Sequence, residues 1–183
     1  MPLPTPIEIH TPRLTIRPVA AGDLADLLEI NGDAEVTRYL PYATWQSMED
    51  ATAWLARMDA LGTAGSARQL VLVRNSDAKV VGTMLMFRLD EGSARLEIGY
   101  VLGRSYWGQG LMSEALRAAC AHAFSQLRIR RLEAEVNPLN AASNRLLAAC
   151  GFTLEGRMRK RWVAKGVECD TNFYGLLAED MPG

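Results

Sequence analysis

The 183-residue chain is poor in histidine, has no paired cysteines and has no charge of one sign to spare. Each shortage excludes something. Its two histidines, His10 and His122, stand far apart in sequence, which argues against a histidine-based metal site, so none is expected. Three cysteines (Cys120, Cys150 and Cys169) are odd in number and lack CxxC spacing, so reduced thiols and a cytoplasmic setting are expected. Twenty basic residues against twenty-one acidic ones give a net charge of -1 and no electrostatic case for nucleic acid. No apolar run approaches the roughly 20 residues that cross a bilayer, so no membrane partner is expected. The opening MPLPTPIEIH lacks the basic start and apolar stretch of a signal peptide. What remains is 49% hydrophobic and 22% charged, too apolar for a disordered chain and the size of one domain, expected over 1–183. Folding at this length should bury roughly 70% of the unfolded surface, so no disulfide or metal staple is needed.

Residues 13–19 (RLTIRPV) alternate charged and apolar positions, the pattern of a half-buried strand. Two helical stretches follow, one opening at Gly22-Asp23 with Leu24, Leu27, Leu28 and Ile30 on one side, the other over 47–61. In the second, Ser47 and Asp50 resemble a capping box, and Ala51, Trp54, Leu55 and Met58 have helical spacing. Residues 69–74, 80–87 and 94–102 read as three strands joined by short turns, hence an antiparallel meander. A helix over 111–127 puts Met112, Leu116, Ala119, Ala123 and Leu127 toward the core. A strand over 132–136, a short helix over 140–150 ended by Gly151, and a hairpin of 152–163 and 168–177 close the chain. The order predicts an α/β domain whose mixed sheet contains a parallel crossover.

Between the third meander strand and the long helix stands Trp107-Gly108-Gln109-Gly110-Leu111-Met112. Glycines let successive backbone N–H groups turn toward one point, and the helix N-terminus adds partial positive charge. Such a turn suits a diphosphate, or it is a tight turn whose glycines serve geometry alone. It is not the ATP/GTP loop, because Gln109 and Gly110 stand where Lys and Ser/Thr belong. It also misses the dinucleotide fingerprint, ending in Ser113, which disfavours a nucleotide-dependent oxidoreductase.

The segment YVLGRSYWGQGLMSEALRA resembles the acyl-CoA segment of the GNAT superfamily of N-acetyltransferases, with Trp107 at its Gln/Arg position and Met112 at its small-residue position. Trp and Met there, the run NPLNAASNRLLAACGFTLEGRMRK, the opening TPRLTIRPV and the closing hairpin are similar to the branch of Rim-type ribosomal-protein N-terminal acetyltransferases. The resemblance implies a mixed, mostly antiparallel sheet, helices on both faces, and splaying of its fourth and fifth strands (residues 94–102 and 132–136). It implies acetyl-CoA as co-substrate, with its pantetheine along Tyr100, Val101 and Leu102. The diphosphate would lie on the main-chain N–H groups of Gly108, Gln109, Gly110, Leu111, Met112 and Ser113, next to Trp107. A backbone N–H near Leu102 would stabilise the oxyanion.

Asn140 would contact the pantetheine arm, cap the following helix, or do both. Ser143 and Asn144 share its side of the helix, which makes Asn144 a further cofactor candidate. Where many relatives carry a tyrosine general acid this chain has Leu147, while Ser143 matches a Rim-type serine able to protonate the departing sulfur. Its alternative is a helix-surface hydroxyl bonded to backbone.

Acetyl transfer needs an uncharged amine. At pH 7 an α-amine of pKa about 7.8 is roughly 14% neutral, against about 0.04% for lysine. A carboxylate acting through water is therefore expected to serve an α-amine. Glu97, pointing opposite to Leu96 and Ile98, is the candidate; it could equally face solvent or pair with Arg95 or Arg13. Glu155 is a weaker one. Arg157, Arg159 and Arg161 would share a strand face, protecting an edge or attracting an acidic ligand. Tyr39, Trp45 and Tyr174 could line an acceptor pocket, and Arg128, Arg130 and Arg131 could approach a ribose phosphate. The expectation is direct transfer to a primary amine, with no cysteine relay, by a monomer or homodimer. The acceptor is a protein N-terminus or a small-molecule amine, and a non-catalytic acyl-CoA sensor is the competing class.

Overall fold

The computed structural model describes residues 7–182. Two short strands open it, β1 (Ile9–His10) and β2 (Leu14–Pro18). Then come α1 (Leu24–Asn31), α2 (Ala34–Thr37) and α3 (Met48–Thr63), followed by β3 (Ala67–Arg74), β4 (Val80–Asp90) and β5 (Arg95–Leu102). The rest is α4 (Leu111–Ser125), β6 (Arg131–Val136), α5 (Ala141–Ala149), β7 (Thr153–Ala164) and β8 (Val167–Leu177). All strands form one sheet in the order β1-β2-β3-β4-β5-β6-β8-β7. Every neighbouring pair is antiparallel except β5 and β6, which α4 connects as the expected crossover.

Helices cover both faces. On one, α4 buries Leu111, Met112, Ala115, Leu116, Ala119, Cys120 and Ala123 against Leu14, Ile16, Leu70, Leu72, Leu96 and Leu132. On the other, α1 and α3 bring Leu27, Ile30, Ala51 and Trp54 onto Val71, Val73 and Val80. Strand alternation sorts the two sets: Leu70 and Leu72 face one layer, Val71 and Val73 the other. The Ser47 N-terminus of α3 is closed as predicted, with Asp50 accepting the N–H groups of Gln46 and Ser47 at 2.7 and 3.2 Å.

Three details differ from expectation. β1 and α2 are additional elements, too short to show periodicity. The helix over 140–150 is expected to turn Leu146, Ala149 and Cys150 to the core; Cys150 is buried and Leu146 partly so, but Ala149 is exposed and Leu147 is buried in its stead. The arginines of β7 do not form one stripe, because its register slips between Met158 and Trp162 and Lys160 takes a φ of 49°. Arg157 pairs with Asp170 and Arg161 lies 3.6 Å from Glu135.

Candidate active site

The strands β5 and β6 pair only over Arg95–Glu97 and Arg131–Glu133, then separate. Each keeps a partner on its outer side, β4 for β5 as far as Leu102 and β8 for β6 as far as Val136. The gap is therefore a local wedge in an otherwise continuous sheet. The Gly103 N–H donates to the Val81 carbonyl at 2.9 Å, which sets the alternation along β5. Val101 and Gly99 turn their main chain toward β4; Tyr100 and Leu102 turn theirs into the gap. Of the three residues expected along a pantetheine, Val101 thus has its main chain directed at the neighbouring strand and meets the cleft by its side chain only. The Leu102 carbonyl accepts the Trp107 indole N–H at 2.8 Å, and the Leu102 N–H faces the gap.

At the outer mouth lies the glycine turn. Gly108 and Gly110 have φ of 71° and 75°, and a Cβ on Gly108 would meet nothing within 4 Å. Backbone conformation, not crowding, is what requires glycine there. Among the described residues, nothing accepts the N–H groups of residues 108–113, six successive donors at the N-terminus of α4. The Gln109 side chain folds back to the Ser105 carbonyl at 2.9 Å, and the Ser113 hydroxyl lies 3.9 Å from the Cys150 sulfur. Trp107, Gly108, Gly110, Leu111 and Met112 line the cleft, while Gln109 and Ser113, also expected on the diphosphate, do not line it.

The cleft is a cavity of about 910 Å³ that runs from this turn through the wedge to the opposite face of the sheet. Glu97 lines its far side, buried, with Arg88 donating to it at 2.7 Å. Burial pushes its carboxyl above the ordinary range; Arg88 opposes this, while Glu135 and Glu133 add to it. Arg95 pairs instead with Glu133 and Asp90, and Arg13 with Glu114, so Glu97 is neither their partner nor solvent-facing. Glu135 also lines the cavity, its carboxylate receiving Arg88 at 3.0 Å and the Trp162 indole at 2.6 Å. Sequence reading passed it over, although RLEAEV alternates and so places Glu133 and Glu135 on one face.

On the other side of the wedge, the Tyr100 hydroxyl and Ser143 Oγ are 2.7 Å apart. Ser143 thus has a side-chain partner, where the alternative reading had its hydroxyl bonded to backbone. Burial raises the pKa of Tyr100 far beyond neutrality, so its hydroxyl stays protonated. Asn140 is an N-cap, accepting the Ser143 N–H at 3.1 Å, and it also lines the cavity. Asn144 departs from expectation. Its amide donates to the carbonyls of Asn137 and Asn140, its oxygen accepts from Asn172 and Tyr174, and it does not reach the cavity.

Other candidates separate cleanly. Glu155 is tied to Arg131 at 2.8 Å, which holds its pKa below the usual range and unsuits it as a base. Arg130 donates to the Ser93 carbonyl and Arg131 to Glu133, where β6 begins, away from the glycine turn. Tyr39 lines the cavity; Trp45 and Tyr174 are buried in the core. Cys120 and Cys150 are buried free thiols whose pKa burial raises, which disfavours a thiolate relay. Cys169 lines the cavity. Among the described residues no group of His, Cys, Asp and Glu could hold a metal ion, and no helix is long and apolar enough to cross a membrane.

Comparison with known proteins meets the same features. The GNAT acetyltransferase domain matches residues 13–153. The uncharacterized N-acetyltransferase p20 of Bacillus licheniformis is 32% identical, over 96% of this chain and 98% of its own length. The [ribosomal protein uS5]-alanine N-acetyltransferase of Escherichia coli is 30% identical, over 97% and 94%. The fold coincides with that of Mycobacterium smegmatis RimJ, solved in complex with CoA-disulfide, at a TM-score of 0.85, 24% identity and coverage of 100% and 93%.

Proposed function

The chain belongs to the GNAT family of acetyltransferases, and on that premise we propose that it transfers acetyl from acetyl-CoA to the N-terminal α-amine of a protein, of the ribosomal-protein type. One observation carries the reading: a run of main-chain N–H groups with no acceptor among the described residues, four of them on residues that line the cavity, and a buried carboxylate stand at opposite ends of one cavity that passes through a split sheet. Donor and acceptor can then approach the same point from opposite faces, as direct transfer in a ternary complex demands. The named relatives acting on ribosomal proteins, and the CoA held by RimJ, support the same choice of substrates.

Glu97 takes a proton from the incoming ammonium through water. Its raised pKa makes it a stronger base than an ordinary carboxylate, yet still a weak one, which suits an α-amine better than lysine. The neutral amine attacks the thioester carbonyl, and the Leu102 N–H, directed into the wedge, stabilises the developing oxyanion. As the carbon–sulfur bond breaks, Ser143 gives its proton to the departing sulfur and regains one from the nitrogen of the tetrahedral adduct, which loses it in becoming the neutral amide. That role requires the protonated Tyr100 to be the donor of its hydroxyl pair with Ser143, which leaves the serine hydrogen free to point at sulfur. Residues 108–113 hold the diphosphate through main-chain N–H groups, and Asn140 flanks the pantetheine arm. Reaction among reduced thiols in a cytoplasm suits the free cysteines.

The test is release of CoA thiol with peptides bearing ribosomal-protein N-termini against a panel of polyamines, amino acids and aminoglycosides. Preference of at least tenfold in kcat/KM for a free peptide N-terminus over its blocked, lysine-containing counterpart is expected. Turnover confined to small amines would overturn the acceptor. Binding of CoA with no turnover on any amine would make the chain a sensor.

A further inference from the structure

The segment entering β2 reaches across to the glycine turn. Glu114, in the first turn of α4, accepts the Arg13 backbone N–H at 2.9 Å, the Arg13 Nε at 2.6 Å and the Thr11 hydroxyl at 2.6 Å. The same guanidinium donates through Nη1 to the Gln109 carbonyl at 2.8 Å. That carbonyl belongs to the peptide plane that carries the Gly110 N–H, and in a trans peptide the two point in opposite directions. With its oxygen drawn to Arg13, the plane turns the Gly110 N–H the other way, toward the cleft that Gly110 lines.

Charge adds a second effect. Burial works against ionisation of Glu114, but its bonds from Thr11 and Arg13 outweigh this and keep it a carboxylate. An uncompensated negative charge one helical turn from the six N–H donors would repel a diphosphate; Arg13 cancels it. The remaining Nη2 stays beside the turn, since a Cβ placed on Gly110 would come within 3.5 Å of it.

We infer that Arg13 is the positioning residue of the donor site: it orients the Gln109–Gly110 peptide and neutralises Glu114, and so selects donors that carry a diphosphate. This rests on the acetyl-CoA reading above and adds to it a side chain far away in sequence, in the link between β1 and β2.

Calorimetry with CoA on wild type, Arg13→Met, Glu114→Gln and the double variant tests it, with melting temperatures recorded for each. Arg13→Met is expected to raise the Kd at least tenfold. Adding Glu114→Gln to Arg13→Met is expected to recover at least threefold of that, since the repelling carboxylate is gone. With the amine returned by the acceptor screen, Arg13→Met should lower kcat/KM at least tenfold for acetyl-CoA and less than twofold for S-acetylpantetheine, which lacks the diphosphate. A merely structural defect would lower both alike. If Arg13→Met fails to fold, Arg13→Lys, which keeps the charge but cannot span Glu114 and Gln109 together, should raise the Kd about threefold. Equal Kd values for wild type and the Arg13 variants, or equal losses with both donors, would overturn the inference and leave the functional reading standing. Absence of CoA binding by wild type would remove both.

Discussion

Replacing Gly110 separates backbone strain from charge at the glycine turn. At a φ of 75° a side chain is strained, by roughly 1–2 kcal/mol for most residues and less for Asn and Asp. Gly110→Asn and Gly110→Asp share that cost and nearly the same shape, so their difference reports charge. An added carboxylate about 6 Å from a diphosphate oxygen, at an effective dielectric constant of about 20, opposes binding by roughly 2.8 kcal/mol. Arg13 Nη2, next to any Cβ at this position, attracts the new carboxylate and screens it in part. Halving the repulsion for that leaves about 1.4 kcal/mol, a tenfold change in Kd. Titration calorimetry with CoA should therefore give Gly110→Asp a Kd at least ten times that of Gly110→Asn. In 1 M salt, where the screening length falls to about 3 Å, the gap should shrink below threefold. Equal Kd values for two folded variants, in low salt, would refute diphosphate binding at this turn.

Three further outcomes follow from the geometry. Glu97→Gln should lower kcat about tenfold or more at pH 7, yet less than threefold at pH 9, where an α-amine is roughly 94% neutral. The raised pKa places the acid limb of the wild-type kcat/KM profile above the usual carboxylate value of about 4.3, with activity falling as pH drops through it; the same fractional loss at both pH values would remove Glu97 as base. Tyr100→Phe should cost about 1 kcal/mol, a fivefold fall in kcat with KM for acetyl-CoA unchanged, and combined with Ser143→Ala it should do no worse than the poorer single variant; additive losses would show that the two hydroxyls act separately. Asn144→Ala, which strands the Tyr174 hydroxyl and the Asn172 amide while the Asn137 and Asn140 carbonyls keep backbone donors, should destabilise the fold by about 2–4 kcal/mol and leave the Kd for CoA within twofold, and a large change in affinity at unchanged melting temperature would restore it as a binding residue.

Local rules carried much of this from sequence. Alternation in residues 94–102 and 132–136, the capped helix at Ser47 and the glycine turn each express a preference of a few neighbouring residues, and the folded chain keeps them. The wedge between β5 and β6 arises from a pairing that stops after Glu97 and Glu133, a tertiary event that no local pattern records. Tyr100 and Ser143 meet across 43 positions of sequence, so a residue read as backbone alone proves to carry a hydroxyl into the site. Asn144 misled for the opposite reason. Its place on a polar helix stripe was correct, but Asn172 and Tyr174 of β8 come over to consume its oxygen. Glu135 was legible in principle, since a buried carboxylate needs partners, but Trp162 and Arg88 arrive from strands on either side.

Titration of the purified chain with CoA bears most directly on the central claim that unpaired main-chain donors at the start of α4 hold a diphosphate. One CoA per chain, with a dissociation constant in the roughly micromolar range and weaker uptake as salt rises, is the predicted result. No heat of binding with CoA or its acetyl ester, from a folded and monodisperse sample, would contradict it.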